Sequence, residues 1–388
     1  MCFAPAQARI IGVPLLRLIC LIATVLAVAG PTATASAAPG LDDELARRLD
    51  AAIDRTLEDA AIPGAIVGVF GPDGDYVRAV GVADKTTGAP MEPAFFHRIG
   101  SLTKTFTVTA VLQLAGDGRL SLDDPIDRYV PGVPSGADIT LRQLARMQSG
   151  LPNYTANEEF VQALMADPLR PWSPPELLAY AFAQPPTFPP GEGFEYSNTN
   201  TVLLGLVVEK ISGRPLHDVI RDRITAPLQM TDTAFPTGNE FPQPHAQGYT
   251  VQTADGREAV ATEWNPSWGW AAGAMTSTLA DLRIWAPALA NGTLVEPHLQ
   301  QERLQGVDTS GRPTEHGYGL GLFNAGGWIG HNGSLPGYQT VAVYLPGRDL
   351  TLIVAVNTDE SVDGTDPGTA MAVAVTQILT PDAVYRLG

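Results

Sequence analysis

Ala65-Ile66-Val67-Gly68-Val69-Phe70-Gly71-Pro72-Asp73-Gly74-Asp75-Tyr76-Val77-Arg78-Ala79-Val80-Gly81-Val82 reads as two strands around a turn. The runs on either side are apolar or alternating, and Gly71-Pro72-Asp73-Gly74 is a strong hairpin signal. Upstream, Leu41, Leu45, Leu49, Ile53 and Leu57 recur every four residues in a charged background. That spacing predicts an amphipathic helix over 42–60, capped by Asp42 or Asp43. From about 101 to 235 the pattern is helical, with segments over 103–115, 140–147, 174–183, 198–211 and 215–224 separated by Pro-rich loops such as 184–190. Strand patterns return after about residue 317, over 318–323, 327–335, 338–345 and 349–356, and 369–379 closes as a helix. Strands from both ends of the chain with helices between them predict an α/β fold of the α+β type. The expected layout is an antiparallel sheet flanked by helices in residues 38–115 plus 272–388, with an inserted mostly helical domain over 116–271.

Composition narrows the function. A chain of 388 residues, 45% apolar and 17% charged, buries a sizeable core and is neither a disulfide scaffold nor disordered. Its net charge of −17 is not offset by any stripe of Lys or Arg, which argues against nucleic acid as a partner.

Residues 1–37 read as a signal peptide. Arg9 and Arg17 precede an apolar run over 18–29, and Ala35-Ser36-Ala37 fits a cleavage site before Ala38. The apolar run is well short of the ~20 residues that span a bilayer. Both cysteines, Cys2 and Cys20, fall in this segment, so the mature chain is expected to lack thiols, a disulfide frame and Cys-ligated metal. The expectation is an exported monomer, secreted or in the cell envelope, with no membrane span after cleavage.

Three short motifs carry the chemistry. Ser101-Leu102-Thr103-Lys104 lies where a strand pattern turns helical, and with only three lysines in the chain about 0.1 such S-x-x-K match is expected by chance. On a helix start Lys104 stands beside Ser101 and, if buried, can take the hydroxyl proton that an attacking serine must lose. Tyr196-Ser197-Asn198 precedes the helix over 198–211. A tyrosine near a lysine can share proton transfer, since a cation lowers its pKa, and an asparagine amide can hold a substrate carbonyl. His331-Asn332-Gly333-Ser334 lies in a C-terminal strand, where glycine permits close backbone approach and strand N–H groups can join that of Ser101 in an oxyanion hole. Each motif alone has an ordinary alternative: a capping serine with a solvated lysine, a helix-capping turn, an unremarkable strand. No serine sits in G-x-S-x-G, no histidines form H-x-x-x-H, and Gly317-Tyr318-Gly319-Leu320-Gly321 does not continue as a dinucleotide fingerprint. Neither a metal nor another cofactor is indicated.

In this order and spacing the motifs resemble the serine penicillin-recognising enzymes, and within them the secreted D-alanyl-D-alanine carboxypeptidases and class C β-lactamases. The resemblance extends through 98–104, 149–151, 195–200, 318–322 and 330–334. It implies a β-lactamase/transpeptidase-like fold and an acyl-enzyme on Ser101, with Lys104 as its proton partner and Tyr196 as general acid/base. It further implies that Asn198, His331, Gly333 and Ser334 bind substrate and that the N–H groups of Ser101 and Ser334 form the oxyanion hole. Trp268, within Trp264-Asn265-Pro266-Ser267-Trp268-Gly269-Trp270, either walls the cleft or packs a loop.

The implied substrate is a small peptide, a β-lactam or an ester. D-alanyl cell-wall peptides come first; a β-lactamase, a carboxylesterase and a silent cell-wall binding protein are the alternatives. Phe323 stands where such carboxypeptidases often use an arginine just after the Gly-Leu-Gly-Leu strand, so neutral acyl donors should be preferred over free carboxylates. Arg312 is the residue that a loop could bring in instead. With His331 near an ordinary pKa of ~6.5, carboxylate substrates should gain as pH falls from about 8 to 6.

Overall fold

The computed structural model describes residues 40–387, so the expected signal peptide over 1–37, with both cysteines, lies outside the described residues. Asp42 caps the first helix, Asp43–Asp59, through Oδ1 to the Glu44 and Leu45 amides, as its position before the apolar repeat predicts. Strands Gly64–Gly71 and Gly74–Asp84 pair across the Gly71–Gly74 turn. On its other edge Gly64–Gly71 pairs antiparallel with Leu350–Val356, which joins the two ends of the chain in one sheet.

Ten strands form this antiparallel sheet among the described residues. In spatial order they are Ala89–Pro90, Gly74–Asp84, Gly64–Gly71, Leu350–Val356, Tyr338–Leu345, Trp328–Leu335, Phe323–Ala325, Gly317–Tyr318, Gly306–Val307 and Pro313–Thr314. Side-chain alternation divides the core. Ala65, Val67 and Val69 pack with Leu49, Ile53, Met371 and Val375 from helices Asp43–Asp59 and Pro367–Leu379. Ile66, Phe70, Ala342 and Ile353 join the larger cluster with Phe106, Leu279, Leu282 and Trp285. Gly68 permits the second packing, because a β-carbon there would lie 2.6 Å from Leu279 Cδ1. Tyr338–Leu345 is buried along its whole length, consistent with cover on both faces.

Helix Thr103–Gly116 is buried on nearly every side, its threonines and Lys104 included, with Phe106 stacked on Trp285 at 4.1 Å. It packs against Asn198–Ser212, another mostly buried helix. Two expectations change. The strand expected over 318–323 is broken into a hairpin: Gly321 takes φ +71°, and the Gly319 amide donates to Leu322 O. The helix expected over 215–224 is regular only over Leu216–Ile220 and widens into a π-helical turn over Arg221–Thr225. Helices Glu158–Ala166, Leu279–Asn291 and Pro297–Arg303 were not expected. The second contains Pro287, whose missing N–H makes the segment read as interrupted.

Candidate active site

Two residues of strand, His97–Arg98, pair with Thr276–Ser277 and lead into a turn at Gly100–Leu102, after which the helix begins at Thr103. Ser101 therefore sits on the turn, and Lys104 lies in the first turn of the helix behind it. Lys104 is wholly buried; its Nζ lies 2.9 Å from Ser101 Oγ and donates to Ala272 O at 2.8 Å. Burial without a carboxylate partner drives its pKa well below the usual lysine range, so the amine favours its neutral form, able to accept a proton.

Tyr196 comes from the segment leading into helix Asn198–Ser212. Lys104 Nζ stands 4.9 Å from its ring centroid. The Tyr196 hydroxyl is buried without a well-formed hydrogen bond among the described residues, although it is near enough to Ser101 to be influenced by it. Burial raises its pKa and outweighs the lowering effect of Ser101. The sequence expectation of a lowered tyrosine pKa is therefore corrected: desolvation shifts the two groups in opposite directions, the amine toward its neutral form and the phenol toward its protonated form.

Two glycines bring the Ser101 turn against the strand Trp328–Leu335. Gly100 has φ +53°, and a β-carbon on it would stand 2.7 Å from Ser334 N. A β-carbon on Gly333 would stand 2.8 Å from Ser101 N and 2.0 Å from Ile99 O. The Ser101 and Ser334 amides are thereby neighbours across a contact that tolerates no side chain, an arrangement suited to a developing oxyanion.

In front of Ser101 opens a cleft of about 270 Å³, lined by Ser101, Thr155, Asn198, Gln252, Trp268 and Ser334 together with backbone of Gly269, Ala272 and Gly273 and the turn Leu335-Pro336. Asn198 is fixed at both ends: its backbone amide donates to Asn153 Oδ1 at 3.1 Å and its Nδ2 to Thr155 Oγ1 at 3.0 Å. Trp268 is held by its carbonyl, which accepts from Tyr154 Oη at 2.6 Å. None of these lining residues carries a charge.

His331 lies beside this cleft but does not line it. Its ring is buried among Tyr196, Tyr318 and Phe323, with centroids 6.0, 5.8 and 4.8 Å away. Nδ1 donates to Asn332 O, leaving Nε2 to accept from Tyr318 Oη at 3.4 Å. Burial lowers the His331 pKa to about 3. The ordinary pKa assumed from sequence is thus corrected, and no imidazolium forms between pH 6 and 8. Phe323 joins the aromatic wall, 4.7 Å from Tyr318. Arg312 is exposed near Asp308 and Ser310 and does not line the cleft.

The structure thus brings Ser101, Lys104, Tyr196, Asn198, Gly333, Ser334 and Trp268 together, with His331 behind them. Sequence reasoning missed Thr155, Gln252 and the Ala272 carbonyl. Thr155 could have been sought through the Asn-rich turn 153–157; a backbone acceptor such as Ala272 O leaves no residue-type signal. Among the described residues no group of His, Cys, Asp or Glu is placed to hold a metal, and no helix is long and apolar enough to cross a membrane.

Residues 49–376 match the family model described as Beta-lactamase. The chain is 27% identical over 339 residues to Protein flp of Staphylococcus aureus (strain MRSA252), covering 82% of this chain and 64% of that protein's length. It therefore spans less than two thirds of that relative. Penicillin-binding protein 4* of Bacillus subtilis (strain 168) is 26% identical over 328 residues, 77% of this chain and 69% of its own. A D-stereospecific amidohydrolase from Streptomyces sp. superposes with a TM-score of 0.77 at 29% identity, covering 86% of this chain and 98% of that one.

Proposed function

The chain belongs to the Beta-lactamase family, a serine hydrolase of that fold, and from this premise we propose that it cleaves small D-aminoacyl peptides and amides through an acyl-enzyme on Ser101. The observation that carries the proposal is the 2.9 Å approach of a wholly buried Lys104 to the Ser101 hydroxyl. In the proposed reaction, Oγ attacks the acyl carbon as its proton passes to Lys104 Nζ. The tetrahedral oxygen takes its charge between the Ser101 and Ser334 amides. The C–N bond then breaks, the leaving nitrogen takes the Tyr196 proton, and the Lys104 ammonium returns a proton to the phenolate, restoring both groups. Water, deprotonated by the same pair, attacks the ester carbonyl; the C–Oγ bond breaks, Ser101 Oγ takes the proton back from the pair, and the acid is released.

D-configuration is supported by the likeness to the D-stereospecific amidohydrolase. The uncharged lining, with His331 held neutral, favours amide or ester donors over those ending in a free carboxylate, because a desolvated carboxylate would find no cation there. D-alanyl-D-alanine carboxypeptidase activity is accordingly a weaker side reaction in this reading. Penicillin acylation is the second reading, supported by the likeness to penicillin-binding protein 4*. Export through the 1–37 leader completes the proposal.

The test is a kinetic panel of D- and L-alanine p-nitroanilide, D-alaninamide, diacyl-D-Ala-D-Ala and a penicillin, with wild type and Ser101→Ala. D-configured neutral donors should turn over fastest, and Ser101→Ala should be inactive. Equal rates for L donors, or turnover that survives in Ser101→Ala, would overturn the reading.

A further inference from the structure

Gln252 lines the cleft with Ser101 and Ser334, yet it belongs to none of the three motifs and comes from the loop after the two-residue strand Tyr249–Thr250. Its side-chain amide donates through Nε2 to Asp359 Oδ2. Thr250 Oγ1 donates to the same carboxylate oxygen at 3.1 Å and accepts from the Gln252 backbone amide at 3.0 Å. The other carboxylate oxygen, Oδ1, accepts from the Gly337 amide at 3.1 Å, in the turn after Ser334. Asp359 is itself buried. One carboxylate thus ties the Gln252 loop to the turn that closes the oxyanion side of the cleft.

This arrangement fixes the orientation of Gln252. Burial raises the Asp359 pKa, opposed by three donors, Gln252, Thr250 and the Gly337 amide, that favour the carboxylate. Facing a carboxylate that accepts from all three, the Gln252 amide presents its NH₂, and Oε1 has no hydrogen-bond partner among the described residues. Gln252 lines the cleft, and the amide atom it has free for a ligand is Oε1, held beside a carboxylate in a wall whose lining residues carry no charge. Such an acceptor suits a group with N–H donors, and the buried negative charge favours a cationic one. On a small D-aminoacyl donor that group is the free α-ammonium.

We propose that Gln252 is a specificity-determining residue that accepts a hydrogen bond from the α-ammonium of the acyl donor, with Asp359 as its positioning residue, so that the enzyme selects donors with an unblocked amino terminus. This inference rests on the acyl-enzyme reading above. It adds to that reading the feature separating an aminopeptidase-like or amidase-like preference from a preference for N-acylated cell-wall peptides.

The experiment compares kcat/KM for D-alanine p-nitroanilide and N-acetyl-D-alanine p-nitroanilide in wild type, Gln252→Leu, Gln252→Glu and Asp359→Asn. Wild type should favour the free amine at least tenfold. Gln252→Leu should bring the ratio to within threefold of unity, chiefly by lowering kcat/KM for the free amine. Gln252→Glu, which keeps an acceptor, should retain the preference. Asp359→Asn should raise KM for the free amine at least fivefold with kcat little changed, a split that general loosening of the fold would not give. A wild-type preference for the N-acetyl donor, or an unchanged ratio in Gln252→Leu, overturns this inference alone. Failure of both substrates to acylate Ser101, read by intact mass, overturns the functional reading and this inference with it.

Discussion

Gly333 lies so close beneath Ser101 that a β-carbon on it would stand 2.8 Å from the Ser101 amide nitrogen. The N–H of Ser101, the proposed nucleophile, and that of Ser334 are set by this contact, so Gly333→Ala must push the two segments apart. The expected result is a loss of about 10²–10³ in kcat, the scale of a lost oxyanion donor. Circular dichroism and Tm on the same sample check that the variant is folded.

Lys104 and Tyr196 trade stability for chemistry. Burial lowers the Lys104 pKa, so between its folded and unfolded values the unfolded chain carries a proton that the folded chain does not. Stability from this group consequently rises with pH up to the unfolded value of ~10.4. Lys104→Met should abolish most activity, on the order of 10²–10⁴ in kcat/KM, and lose this pH dependence. Urea midpoints for both proteins at pH 7 and 9 measure it: the wild type should gain relative to the variant at the higher pH.

Tyr196→Phe removes a buried hydroxyl that has no well-formed hydrogen bond, and so a desolvation cost. The variant should match or exceed wild-type Tm while kcat/KM falls by about 10²–10⁴. A large drop in Tm would show that the hydroxyl is a structural group. Combined with Lys104→Met the loss should be far less than additive, because in the proposed reaction the two residues pass one proton.

Because burial holds the His331 pKa at about 3, its charge does not change over the working range. The ratio of kcat/KM for diacyl-D-Ala-D-Ala to that for its C-terminal amide should be flat from pH 8 to 6. The sign for stability is fixed too. His331 binds its proton more weakly folded than unfolded, so it costs stability as pH falls from about 6.5 toward 3. His331→Gln should flatten that acid limb in pH-dependent unfolding.

Much of this was legible in the sequence because it rests on local patterns. The four-residue repeat from Leu41 to Leu57 and the Gly71–Gly74 turn yielded the first helix and hairpin within a residue or two. Ser101, Lys104 and Tyr196 could be singled out because the chemistry proposed for them depends on residue type and short spacing. What stayed hidden depends on tertiary placement. The burial that shifts Lys104 and Tyr196 is tertiary, and for Tyr196 it raises the pKa where a lowering by the lysine was expected. His331 reads from sequence as an imidazole of ordinary pKa, and its enclosure by Phe323, Tyr318 and Tyr196 is what lowers that pKa. Gln252 and Asp359 are 107 residues apart, a separation at which no motif can announce a contact. The strand expected over 318–323 failed for a simpler reason: Gly321 takes a left-handed turn that apolar alternation does not reveal.

The most direct measurement of the central claim is intact-mass spectrometry of the protein quenched in acid during turnover of D-alanine p-nitroanilide, followed by mapping of the adduct. The expected result is one D-alanyl unit on the peptide containing Ser101, absent from Ser101→Ala and formed far more slowly in Lys104→Met. An adduct on another residue, or one that forms at the wild-type rate without Lys104, would contradict the assignment of Ser101 as a nucleophile activated by a buried neutral lysine.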